Sequence, residues 1–361
     1  MINMNKAENL QMMKEFCEAK GVSGFEDEVI EKIRPYVEDL GKVTEDSLRN
    51  LYVERKENTG DKPVFMLDAH TDEVGFMVQA VKPDGTLRII TLGGWVLHNV
   101  PSHRVWVRVK DGSYILGIVA SKPPHFMTVS ERNKPLDIAD ISVDVGATSR
   151  EEAINDFGVR IGEPVVPDSP FSYDEKHDLM IGKAFDNRAG CACIAEVMRR
   201  LKGEKLNVDV VGAFASQEEV GSRGASLTCQ KVKPSIAIVF EGCPADDTCA
   251  ESYMVQTALK KGPMLRHYDQ KMITNPRYQR FALELAEKLG IPCQEAVRSG
   301  GSTNGAFIHV SNEGVPCIVI GVPVRYAHTH YCYSSYSDYE NAVQLALEIV
   351  KRMDEETIKS F

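Results

Sequence analysis

The sequence predicts an α/β fold, a central sheet with flanking helices, interrupted by a small β-rich insert. Three observations predict it. Apolar strands at 64–67, 208–214 and 236–240 each run into a polar or Gly-rich loop, the arrangement in which open α/β sheets place sites at the carboxyl ends of their strands. Helical periodicity over 6–20, 188–202 and 276–289 supplies covering layers. Between 74 and about 173 the texture changes to short alternating runs at 87–91, 105–109 and 115–120. These are split by Gly-Gly, Asp-Gly and Pro-Pro turns, a pattern that reads as a small barrel or sandwich.

The elements follow in order. The first helix ends before Gly21-Val22-Ser23-Gly24, where Ser23 is expected to cap a second helix, with Glu26 placed for a capping box, running to about residue 40. Short strands at 51–55 and 64–67 come next, the latter ending in Asp68-Ala69-His70-Thr71-Asp72-Glu73. Past the insert come the helix at 188–202, the strands at 208–214 and 236–240, the helix at 276–289, a strand at 317–321 and a terminal helix from about Tyr339. The 361 residues exceed the roughly 250–300 at which a single core stops growing. The expected division is an α/β domain made of 1–73 and 176–361, with the insert at 74–175.

Composition excludes several function classes. A net charge of −10 with no Lys/Arg run argues against nucleic acid and against an anionic membrane surface. The N-terminus lacks an apolar signal-like core, and no stretch approaches the ~18 apolar residues of a spanning helix. Nine cysteines, an odd number without a CxxC pair, fit reduced thiols and a cytoplasmic location better than disulfides or a thiolate zinc site. No GxSxG elbow occurs, and Ser299-Gly300-Gly301-Ser302 lacks the spacing of a phosphate loop.

Five places on the α/β flanks hold candidate metal ligands: His70, Asp186, the Glu218–Glu219 pair, Glu241, and His328 with His330. Imidazoles and carboxylates without thiolates suit zinc, cobalt or manganese. One ion needs about three protein ligands, and two ions sharing a carboxylate need roughly five, the number these places supply. Neighbouring loop glutamates point different ways, so one of Glu218 and Glu219 can bind metal while the other takes a proton from water. Asp72, two residues after His70, is placed to hold that imidazole's other nitrogen. Singly, each residue reads as an ordinary solvated or hydrogen-bonded side chain. His330 is expected to be structural, as are His98, His103 and His125 in the insert. The joint occurrence favours the metal reading.

The segments DAHTDEVGFMV (68–78), GKAFDNRAG (182–190), ASQEEVGSRGA (215–225), VFEG (239–242) and GVPVRYAHTH (321–330) carry a resemblance across the whole chain. It resembles the co-catalytic metalloaminopeptidases that include bacterial glutamyl aminopeptidase, the archaeal tetrahedral aminopeptidases and relatives labelled endoglucanases. The resemblance implies a zinc-peptidase-like mixed sheet with a barrel-like insert. It implies two divalent ions, zinc or cobalt with manganese as an option. His70, Asp186 and Glu241 would hold one ion, and Asp186, Glu219 and His328 the other, with Glu218 as general base, Asp72 supporting His70 and a cis Asp186–Asn187 bond. The implied reaction removes N-terminal residues from short peptides through a metal-bridging hydroxide. The insert would dimerise the chain, and dimers would build a tetrahedral dodecamer. The stretch THYCYSSYSD after His328 is similar to the glutamyl branch and points to a glutamyl or aspartyl preference. The chain departs from many relatives at Glu241, where they carry Asp, and at Asn304, where they carry Asp within Gly-Thr-Asp-Ala. Alternative readings are a deacylase or carboxypeptidase on the same fold, a scaffold with a vestigial metal site, and a metal-free glycan hydrolase.

Overall fold

The structure is a computed structural model that describes residues 6–361. Residues 1–5, the start of the expected first segment, lie outside the described residues.

The chain opens with α1 (Lys6–Glu18) and α2 (Asp27–Val37), then β1 (Gly41–Glu45), β2 (Leu51–Arg55) and β3 (Val64–His70). The expected Ser23 cap is not made. Ser23 Oγ donates instead to Asp72 Oδ2 at 2.6 Å, while Glu26 Oε1 accepts the amides of Gly24 (2.9 Å) and Gln217 (3.1 Å). Both side chains are drawn away from the helix end by a loop that local patterning does not reveal. The second helix also stops three residues short of the expected end, at Val37.

Six strands follow: β4 (Gly75–Val81), β5 (Leu87–Leu92), β6 (Arg104–Arg108), β7 (Tyr114–Ala120), β8 (Ser142–Asp144) and β9 (Pro164–Pro167). They close as β4-β5-β8-β7-β6-β9, because β9 pairs with both β4 and β6. The insert is therefore a barrel and not a sandwich. Its alternating apolar positions, among them Phe76, Val78, Ile89, Val107 and Val143, fill the interior.

The α/β body resumes with β10 (Ser172–Asp174), β11 (Leu179–Gly182), α3 (Phe185–Arg200), β12 (Asp209–Ala215), α4 (Arg223–Val232), β13 (Ile236–Pro244), β14 (Met264–Asp269), β15 (Met272–Ile273), α5 (Pro276–Leu289), β16 (Gln294–Val297), β17 (Cys317–Val324), β18 (Cys332–Ser334) and α6 (Tyr336–Arg352). The central sheet runs β1-β2-β12-β3-β13-β17-β14-β15, with β16 beside β14, and it is mixed. The four strands β12, β3, β13 and β17 run parallel; β1, β2 and β14 pair antiparallel. These central strands are buried along nearly their whole length, as a sheet covered on both faces requires. On one face α1, α2, α3, α5 and α6 pack on Phe65, Leu67, Phe240 and Ile320; on the other, α4 covers Met66, Val239 and Val319. Each large apolar side chain buried there contributes roughly 1.5–3 kcal/mol, which makes the strand ends a rigid platform.

Candidate metal centre

Parallel register brings the carboxyl ends of the central strands level. His70 ends β3 opposite Ala215 of β12, and Glu241 of β13 lies opposite Gly321 of β17. Asp186 reaches the same edge from the first turn of α3, where Asp186 and Asn187 depart from helical geometry and the bond between them is cis. Asn187 Nδ2 anchors that turn to the carbonyl of Phe240 at 2.8 Å. A side chain on Gly242 would place its Cβ 2.4 Å from Asp186 Cα, so only glycine lets β13 approach so closely.

The five sequence-predicted ligand places meet here. His70 Nε2 lies 3.1 Å from Asp186 Oδ1 and 3.2 Å from Glu241 Oε1. His328 Nε2 lies 3.3 Å from Asp186 Oδ2 and 3.4 Å from Glu219 Oε2. The two oxygens of Asp186 thus face different imidazoles. Ligand atoms of His70, Asp186 and Glu219 all fall within 4.8 Å of one another. Glu218 stands slightly apart: its Oε2 is 4.0 Å from His70 Nε2, and its Oε1 accepts from Ser222 Oγ at 2.9 Å.

Asp72 sits behind this cluster, fully buried. His70 Nδ1 is 3.1 Å from its backbone carbonyl oxygen and 3.4 Å from its carboxylate, so the carbonyl is the nearer partner. The carboxylate also accepts the amides of Glu218 (2.8 Å) and Glu219 (3.1 Å). Arg188, also fully buried, donates to the carbonyls of Thr71 (2.7 Å), Ala19 (3.1 Å) and Gly21 (3.1 Å) and pairs with Glu73, which Lys183 also meets. Ser23, Glu26, Ser222 and Arg188 were not singled out from sequence as site residues. Their partners lie far along the chain, and no local signal marks them. His330 lies outside the cluster, buried against His103 at a ring distance of 4.1 Å. Asn304 is buried and donates to Asp68 Oδ1 at 2.7 Å, away from the ligand cluster.

The electrostatics call for a cation. Burial raises the carboxyls of Glu241, Glu219 and Glu218, the last to about 7. Burial opposes charge on His328, but Asp186 and Glu219 outweigh it and push its imidazole to about 11. The same balance, with Asp186, Asp72 and Glu241 as partners, raises His70. Glu219 Oε1 and Glu241 Oε2 are buried with no hydrogen-bond partner. Carboxylates that bring one oxygen to an imidazole and leave the other without a partner are a donor set fitted to divalent metal.

The M42 glutamyl aminopeptidase family model matches residues 50–345. The chain belongs to the M42 glutamyl aminopeptidase family. A TET aminopeptidase from a marine sediment Thaumarchaeota archaeon superposes with a TM-score of 0.94 at 39% identity, covering 98% of this chain and 99% of that one. The glutamyl aminopeptidase of Lactococcus lactis is 31% identical over 348 residues, 96% of this chain and 97% of its own. The TET1 peptidase of Pyrococcus horikoshii, described as assembling into a tetrahedron or a large octahedral shell, gives a TM-score of 0.85 at 26% identity, covering 96% of this chain and 100% of that one. M42 membership makes the chain a metal-dependent aminopeptidase, a hydrolase of peptides.

Proposed function

We propose that this M42 aminopeptidase works with two divalent ions, zinc or cobalt, and that Glu218 is its general base. The observation that carries the reading is Asp186, whose carboxylate offers one oxygen beside His70 and the other beside His328. His70, Asp186 and Glu241 would hold one ion; Asp186, Glu219 and His328 the other. Glu241 takes the place where many relatives have Asp, and its longer side chain still brings Oε1 to 3.2 Å from His70 Nε2. When bound, such ions polarise a scissile carbonyl and acidify water towards neutral pKa. Glu218 is free of the ligand contacts and is held at one oxygen by Ser222. Its other oxygen is available to take the attacking water's proton and deliver it to the leaving amine. Asp72 fixes both the His70 ring and the Glu218–Glu219 backbone, so the base and the ligands keep their spacing.

The substrates we propose are short peptides with a free N-terminus, with a glutamyl or aspartyl preference suggested by the glutamyl aminopeptidase relative. We assign 74–175 to dimerisation and 1–73 with 176–361 to catalysis. The exposed apolar side chains of Leu116, Ile118, Phe126 and Val129 on the insert support that assignment, and the TET relatives suggest a tetrahedral dodecamer. A cytoplasmic location is supported by nine free cysteines. Among the described residues no helix is long and apolar enough to cross a membrane.

The test is hydrolysis of glutamyl-, aspartyl-, leucyl- and lysyl-nitroanilides with chelator, then with zinc or cobalt restored. Metal-dependent release, greatest with the acidic residues and absent with N-acylated substrates, is expected. Release that survives complete metal removal would overturn the proposal.

A further inference from the structure

The insert reaches the metal centre at its Glu219 and His328 side. Gly94 packs against His328, so that an added Cβ would sit 3.5 Å from its Nδ1, and one on Gly93 would sit 3.2 Å from Glu219 Oε2. The next residue, Trp95, begins a line of rings. It stacks on Phe76 in the barrel core at 4.7 Å and 24°, and its Nε1 donates to the Gly75 carbonyl at 3.1 Å. Trp95 also meets His330 at 5.3 Å, tilted by 53°, and His330 stacks on His103 at 4.1 Å and 14°. Phe76, Trp95 and His103 belong to the insert; His330 stands two residues beyond His328.

The loop that carries His328 needs such support. Tyr326 and His328 both have left-handed backbone, with φ of 61° and 62°, a conformation that persists in non-glycine residues only when surrounding structure fixes it. Within the loop, the single Thr329 hydroxyl proton has the Tyr326 and Tyr331 carbonyls as alternative acceptors, at 2.8 and 2.9 Å. Cys332 Sγ donates to the Tyr326 carbonyl at 3.2 Å, and towards the insert the ring of His330 meets Trp95 and His103. Both of its nitrogens are buried without a partner, so no hydrogen bond explains an imidazole there. Nor does chelation: near-parallel rings send their in-plane lone pairs side by side and not to a common point. What His330 contributes is its two faces.

We propose that Trp95, His103 and His330 are positioning residues whose ring stack clamps the His328 loop to the insert, and so sets the affinity for the ion held by Asp186, Glu219 and His328. The ion on the His70 and Glu241 side is held independently of the stack. This rests on the two-ion reading above.

The test titrates metal-free, full-length protein with cobalt(II), read by calorimetry and by visible absorption. Wild type is expected to bind two ions. His330→Ala should bind one of them about 10–100-fold more weakly and lose its absorption bands, and bind the other as wild type does. His330→Phe, which keeps the stack, should restore the weakened ion. His103→Ala removes the insert's ring stacked on His330, at a half-buried position with less risk to folding, and should show the same selective loss. Wild-type binding of both ions by His330→Ala and His103→Ala would overturn the clamp. So would a His330→Phe as weak as His330→Ala. A wild type that binds a single cobalt would instead overturn the two-ion reading.

Discussion

Asp72 Oδ1 accepts the backbone amide of Glu218 at 2.8 Å, so the residue that steadies the His70 ring also holds the main chain of the proposed base. Burial would raise this carboxyl, but the partnership with His70, helped by Ser23 and the Glu218 amide, keeps it below the usual carboxylate range. Asp72→Asn turns one acceptor into a donor facing amide N–H groups or a ring N–H. We expect a loss of about 10–100-fold in metal affinity, together with a fall in kcat. Metal titration with steady-state kinetics checks it; normal values for both would refute the supporting role.

Glu218→Gln keeps the side chain's shape and its contact with Ser222 while removing the proton acceptor. Turnover is expected to fall by about 10²–10⁴-fold with full metal content. Mass spectrometry of bound metal beside kinetic assays decides it, and wild-type turnover would remove Glu218 from the mechanism.

Metal loading is expected to release protons. In the metal-free protein burial favours the protonated forms of Glu219 and Glu241; burial opposes charge on His70 and His328, but Asp186, with Asp72 and Glu241 beside His70 and Glu219 beside His328, outweighs it. A ligand must shed its proton to bind metal, so affinity should rise with pH through the neutral range. Calorimetry of zinc binding in buffers of different ionisation enthalpy reads the proton count directly. A heat independent of buffer would contradict it.

Asn304→Asp, the residue many relatives carry, would set two buried carboxyls against each other at the 2.7 Å contact with Asp68. Burial already pushes Asp68 to about 7. Its folded pKa exceeds its unfolded value, so the protonated form favours folding, and stability falls as pH rises from about 4 towards 7. The variant should steepen that loss, with a cost of about 1–3 kcal/mol at pH 8. Urea unfolding at pH 5 and pH 8 tests it; equal losses at both would show that the pair does not share a proton.

Much of the fold was legible because its signals are local. The strand Leu51–Arg55 and the helix Pro276–Leu289 fall where patterning puts them; the helix is bracketed by an Asn275 cap and Gly290 in left-handed backbone. The apolar run ending at His70 likewise marked the site's edge. What escaped depends on contacts across the chain. The strands Met264–Asp269 and Gln294–Val297 pair with each other and lack strong alternation. Ser23 looked like a helix cap because nothing near it reveals Asp72. His103 and His330 read as separate structural residues, and only the packing of the insert against the His328 loop brings their rings together.

The side chains around Asp186 are gathered from strand ends spread from His70 to His328, with β17 between the last of them and the rest of the sheet. A ribosome therefore delivers the His70 half of the proposed centre well before the His328 half. Nascent chains would be inert towards their neighbours' N-termini until His328 has emerged. Acquisition of the second ion proposed above would then wait for His328, and a chain cut short before that residue would be an inactive peptidase instead of an unregulated one.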